Sequence, residues 1–166
     1  MVDFLVQFFS GFPKELALLI ISMFPIVELR GGIVAAALMG VDFIEAFVIC
    51  IIGNLLPIPI ILLFLDKIFA FLRRFRPFGK FVAWLDRKSE KNKGKVERWE
   101  FWGLVLFVAI PLPGTGAWTG ALVANALKMP FKKSFPAIVV GVCTAAVIMS
   151  IISYALPEVF TALFLK

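Results

Sequence analysis

The stretch FPIVELRGG, residues 24–32, lies within one of the most apolar parts of the chain, yet it carries a glutamate, an arginine and two adjacent glycines. Residues 16–27 are apolar, ELRGG interrupts, and residues 33–41 are apolar again. At about 1.5 Å per helical residue, neither half reaches across a hydrocarbon core of about 30 Å. PLPGTG, residues 111–116, breaks a second apolar zone in the same way, between 101–110 and 117–127. Each broken zone is either one kinked span or a hairpin that enters the membrane, turns near its midplane and leaves on the side it came from.

Two further zones are unbroken. Residues 43–65 and 134–157 are each long enough for the roughly 20 helical residues that a span needs. Of the 166 residues, 61% are hydrophobic and 17% charged, with a mean hydropathy of +1.00. Soluble domains are about 45–50% apolar, so the expected class is an all-α integral membrane protein. The chain has no His, and its two Cys, Cys50 and Cys143, fall inside apolar runs where a thiol acts as a small hydrophobe. No disulfide framework, metal site or cofactor is implied.

Charge favours the hairpin over the kinked span for the broken zones. Residues 66–100 hold 11 of the 17 basic residues against five acids, which marks this connector as cytoplasmic. Lys128, Lys132 and Lys133 follow the second broken zone with no acid nearby, so PLPGTG is reached and left from one side. The span 43–65 then starts outside, beside Asp42 and Glu45, and the first broken zone re-enters from outside. The expected localisation is multi-pass in the cell inner (cytoplasmic) membrane.

A shift of 88 positions aligns Pro25 with Pro113, Gly32 with Gly120, Ala36 with Ala124, Phe43 with Phe131, Phe47 with Phe135 and Gly53 with Gly141. Under this shift the acidic flank of the first span meets the basic flank of the second. Two copies of opposite orientation give that pattern, and inverted repeats with broken helices are a recurrent build of secondary transporters. The expected organisation is a single membrane domain, 1–166. It begins with an interfacial amphipathic helix over 1–12, whose sequence lacks the features of a cleaved secretory signal. Repeat 1 covers 16–65 as a re-entrant hairpin (16–41) and a span (43–65). The connector 66–100 follows, with aromatic and basic residues interleaved for anionic headgroups rather than nucleic acid. Repeat 2 covers 101–157 as a second hairpin (101–127) and span (134–157).

Irregular backbone at membrane depth must face protein or water. If Gly31 and Thr115 or Gly116 open the returning half-helices, free amides and positive dipole ends converge on Arg30, a setting that suits an anion. Glu28 is the counterweight, able to pair with Arg30 across a turn, to contact the opposite hairpin, or to take a proton. Ionisable groups inside a membrane zone usually line a pathway, although a buried structural pair is the competing reading. Asn54 lies level with the turns in a span made irregular by Gly53, Pro57 and Pro59. The candidate binding residues are Glu28, Arg30, Gly31, Gly32, Asn54, Pro113, Gly114, Thr115, Gly116 and Trp118. Thr119 and Asn125 read as packing or capping residues. PLPGTG lacks the GK[ST] ending of a phosphate-binding loop, and no nucleophile with a base is present, so an enzyme is not expected.

PIVELRGGI (25–33), GNLLPIP (53–59) and PLPGTGAWTGALVANAL (111–127), followed by KMPFKK, resemble the small multi-drug export protein family, a branch similar to the DedA and SNARE-associated membrane proteins. The resemblance covers nearly the whole chain. It implies two oppositely oriented re-entrant hairpins and a transport role, and DedA-like proteins are implicated in moving phospho-lipid carriers with a dependence on the proton-motive force. Their second hairpin generally carries arginine, whereas Pro111 to Leu127 here has no charge, which leaves Arg30 as the midplane cation. The expected function is a secondary transporter or flippase, possible partners being protons, membrane lipids and an anionic small molecule or phospho-lipid. A homodimer would shield the cavity that so thin a wall leaves open. The alternative is a non-transporting scaffold or assembly factor.

Overall fold

The computed structural model describes residues 12–72, 99–112 and 114–155, with side chains described to Leu65 in the first of these and to Tyr154 in the last. All but the last residue of the expected interfacial helix 1–12, most of the connector 66–100, Pro113 and the end of the second span lie outside the described residues. Those described are helical, with no strand among them. In chain order the helices are α1 (Lys14–Met23), α2 (Glu28–Leu38), α3 (Phe43–Leu55), α4 (Ile58–Leu72), α5 (Glu100–Ala109), α6 (Ala117–Ala126) and α7 (Phe131–Ser150). A π turn over Ile151–Ala155 continues α7.

Proline ends the first helix of each pair. α1 stops at Phe24, which is extended (φ −70°, ψ 133°) ahead of Pro25, and α5 stops at Ile110, equally extended (φ −70°, ψ 122°) ahead of Pro111. A residue before proline is pushed out of the helical region by the proline ring, so both helices end where the sequence forces them to. The matched terminators are therefore Pro25 and Pro111, not Pro25 and Pro113. Four residues, 24–27, separate α1 from α2, and seven, 110–116, separate α5 from α6. The gapless shift of 88 holds after the breaks, whereas before them the two copies are 86 apart, because the second loop is longer.

The first break also falls elsewhere than expected. α2 already begins at Glu28, so ELRGG is the opening of the returning helix and FPIV is the turn. Gly31 donates to Val27 O at 2.9 Å, an ordinary helical bond. Asp42 caps α3 by accepting from Ile44 N at 2.9 Å. α3 and α4 are separated by a turn at Leu56–Pro57, and proline at a helix start is tolerated because the amide it lacks would have no intrahelical partner. α7 begins at Phe131, directly after Pro130, three residues before the expected start of the span.

Two helical stretches are long and apolar enough to cross a membrane, Phe43–Leu65 and Phe131–Tyr154. Only 28% and 44% of their most apolar windows are buried, so most of their apolar surface faces outward. Ile44, Ile60, Leu63 and Ile151 lie on that outer surface. Water would make so much exposed apolar area costly, and a lipid environment does not. α1, α2, α5 and α6, at ten or eleven residues each, are about 15 Å long, half a bilayer core.

The helices pack as two similar groups: α1, α2 and α3 against one another, and α5, α6 and α7 likewise. α4 packs on α6, and α7 also contacts α2 and α3, which joins the groups through a core including Ile21, Leu29, Ile33, Val108, Ile138 and Met149. Glycines set the spacing inside each group. A β-carbon on Gly53 would lie 2.6 Å from Leu19 O, and one on Gly141 would lie 2.9 Å from Val105 O. The aligned pair Gly53 and Gly141 thus lets α3 approach α1 and α7 approach α5 backbone to backbone. Gly53→Ala and Gly141→Ala are each expected to destabilise by about 1–3 kcal/mol, because the methyl meets backbone that cannot rotate away. Gly103→Ala, with open space around its β-carbon, should be neutral or stabilising; thermal unfolding in detergent checks all three.

Candidate functional site

Glu28 begins α2 with a backbone in the left-handed region, φ 50°, and its side chain is only 5% exposed. A β-carbon in that region costs about 1–2 kcal/mol. In return the carboxylate points out of its own helix pair and into the other. Ala117 N donates to Oε2 at 3.2 Å and Trp118 N donates to Oε1 at 3.1 Å, so one carboxylate serves two first-turn amides of α6. These amides have no partner within their helix, and the positive end of the helix favours an anion there.

Arg30, two positions on, does the opposite job for the preceding helix. Its Nη2 donates to Val108 O at 3.1 Å and Ile110 O at 2.8 Å, and its Nη1 donates to Leu112 O at 2.8 Å and Thr115 O at 2.7 Å. Four carbonyls from the end of α5 and the loop after it converge on one guanidinium, whose planar fork of donors suits several acceptors at once. A carbonyl buried away from water without a partner costs free energy comparable to a lost hydrogen bond. Residues 28 and 30 thus send an anion to the start of α6 and a cation to the end of α5. Their hydrogen bonds go to the opposing backbone and not to each other.

The interlock is reciprocal. Trp118 Nε1 donates back to Met23 O at 3.2 Å, capping the end of α1. Thr115 Oγ1 lies 2.8 Å from both Ile110 O and Leu112 O and tightens the loop that Arg30 holds, and Thr119 Oγ1 donates to Gly116 O at 3.3 Å. Gly116 itself has φ 132°, and a β-carbon there would collide with the Glu28 carboxylate.

Beside this interlock opens a cleft of about 570 Å³. Pro25, Ile26 and Val27 form one wall, and Pro111, Leu112 and Met149 contribute apolar surface opposite. Glu28, Arg30, Gly31, Gly114, Thr115 and Thr119 also line it. Of the residues expected at the site, Glu28, Arg30, Gly31, Gly114 and Thr115 therefore border one cavity, and Gly116 and Trp118 touch the Glu28 carboxylate from behind. Gly32 is turned away, packed against Ser22 and Cys50. Asn54 is buried on α3 outside the cleft lining, and its Oδ1 has no hydrogen-bond partner. Pro113 lies outside the described residues. No group of His, Cys, Asp and Glu among the described residues is arranged to hold a metal. What sequence reasoning missed is the carbonyl set of Val108, Ile110 and Leu112, since every residue type carries a carbonyl and none announces itself. The useful signal was Pro111, which fixes where the free carbonyls of α5 fall.

Two glycines of one loop should respond differently to the same change. Gly114→Ala meets no neighbour and is expected to cost only the left-handed backbone term, about 1–2 kcal/mol. Gly116→Ala adds displacement of a buried carboxylate from two amides and is expected to cost about 3 kcal/mol or more. Denaturation of the two variants side by side in detergent measures the difference.

No curated protein and no solved structure matches the chain. A family model for small multi-drug export proteins matches residues 28–148, from the first residue of the interlock through nearly all of α7. With well over half of its length inside that match, the chain belongs to the small multi-drug export protein family.

Proposed function

We propose that this protein is a secondary transporter whose substrate site is the cleft between the two helix pairs. In this reading the pairs α1–α2 and α5–α6 are re-entrant hairpins of opposite orientation, and their tips meet near the middle of the membrane. The observation that carries it is the interlock itself: two oppositely charged side chains, each bound to the broken backbone of the other pair, beside an open cavity. Family membership supplies the class, and half-length helices meeting around such a cavity recur in alternating-access transporters.

The substrate class that fits is an amphipathic molecule with an anionic or strongly polar head. Its apolar part lies on Ile26, Val27, Leu112 and Met149, and its head meets the Arg30 edge and Thr119. Arg30 already serves four carbonyls, so a guest's anion shares the guanidinium with α5 and weakens the hold on that helix as it binds. Glu28 is the coupling group. Ionised, it clasps the start of α6, and protonation removes the charge that makes both bonds strong and frees α6 to move relative to α2. Substrate and proton then act on the two ends of the same break, which gives each a differential affinity for closed and open arrangements.

In proteoliposomes, Glu28→Gln is expected to lower proton-driven export of an organic-anion dye at least about tenfold, the equivalent of one charge-assisted hydrogen bond. Dye export at the unaltered rate in that variant would remove the proton role. Arg30→Lys keeps the charge but not the fork, and is expected to lower both thermal stability and transport. An Arg30→Ala protein that transports normally and differs only in abundance would point to a scaffold. Flipping of a labelled phospho-lipid, tested beside the dye, decides which amphiphile is carried.

A further inference from the structure

α2 and α6 end in the same way. At the end of α2, Gly40 N donates to Ala37 O at 3.2 Å and Val41 N to Ala36 O at 3.0 Å. At the end of α6, Lys128 N donates to Asn125 O and Met129 N to Ala124 O, both at 2.9 Å. This frame requires a left-handed residue just past the helix, usually glycine. Gly40 has φ 64°, and 88 positions later Lys128 has φ 57°. One copy uses the residue without a β-carbon, and the other places a lysine in the conformation that penalises it. Non-glycine residues held in that region cluster at functional positions.

Lys128 also lines a cavity of about 440 Å³ formed where α4, the α6–α7 turn and the first turn of α7 come together. Leu62 and Leu63 of α4 and Phe131 supply apolar wall, and Asn125 and Ser134 supply polar atoms. Leu63, one of the lining residues, is also exposed on the outer surface of the first span. Lys132 and Lys133 are exposed on the first turn of α7, and the chain has no acidic residue from Phe101 through Ala155. Asp66, four positions after Leu62, adds a single negative charge to this end of α4, and Lys67 follows it directly. Residues 101–155 thus carry three lysines and no acid.

We infer that this cavity binds an anionic phospholipid, its phosphate held by Lys128 with Lys132 and Lys133 and its first acyl carbons on Leu62, Leu63 and Phe131. A basic pocket between membrane helices, with one apolar wall open to the bilayer, has the chemistry of a headgroup site. The lysine in the glycine position is among the residues that line the cavity. The site shares no residue with the Glu28 and Arg30 cleft, and the inference stands apart from the transport reading.

The test compares the full chain in detergent with added phosphatidylglycerol, phosphatidylcholine of the same acyl chains, and inorganic phosphate, by thermal unfolding and native mass spectrometry. The expected result is a rise in unfolding temperature and a retained lipid adduct with phosphatidylglycerol that phosphatidylcholine does not match. Lys128→Gly restores the residue used at the end of α2 and should lower phosphatidylglycerol affinity about fivefold, with a similar loss per lysine in a Lys132→Gln/Lys133→Gln variant. Gly103→Ala, with open space around its β-carbon, should keep the full preference. Equal responses to both lipids, an unaltered preference in both lysine variants, or the whole shift produced by inorganic phosphate alone would each overturn the lipid site.

Discussion

A break between two helices leaves amides at one edge and carbonyls at the other, and away from water neither finds a partner unless the protein supplies one. Here the α5–α6 break is repaired by a single turn of another helix. Glu28 takes two amides of α6, and Arg30 takes four carbonyls of α5 and its loop. Because residues 28 and 30 lie on opposite sides of α2, they reach both edges of the break at once. The rest of the arrangement follows from that geometry: Gly116 must lack a side chain, Trp118 can reach back to Met23, and the cleft opens beside the repaired backbone.

The close approach of helices within each group is a second constraint, and it serves the first. Gly53 and Gly141 bring the long helices against α1 and α5, while Gly32 and Gly120 sit against Ser22 of α1 and Val108 of α5. Both helix pairs are thereby fixed against a long neighbour, so the charged turn of α2 meets the break with little freedom to drift. Small residues at such contacts are the usual means of tight helix packing in lipid, where no hydrophobic force presses helices together.

Much of this was legible in the residues. Hydropathy and length located Phe43–Leu65 and the body of the second long helix, and the alignment paired Gly53 with Gly141, although only the structure shows that both are close helix contacts. The position of the first break was misread because ELRGG looks like an interruption by polarity and glycine content, whereas backbone geometry is governed by Pro25 upstream. Gly31 and Gly32 are helical, with side chains of Val27 and of Ser22 and Cys50 close by, contacts that sequence alone does not disclose. Glu28 and Arg30 were recognisable as unusual. Their partners were not, since backbone atoms of distant residues carry no signature of residue type.

Separation along the chain has its own consequence. Arg30 finds its acceptors 78 to 85 positions downstream, and Tyr154 Oη donates to Val41 O across 113 positions. At ribosomal rates of about 5–20 residues per second, several seconds pass between the emergence of α2 and that of the loop it must grip. Throughout that interval the nascent chain holds a glutamate and an arginine beside apolar helices with no partner yet made. The first helix group therefore cannot reach its final contacts until α5, α6 and the loop between them have been made.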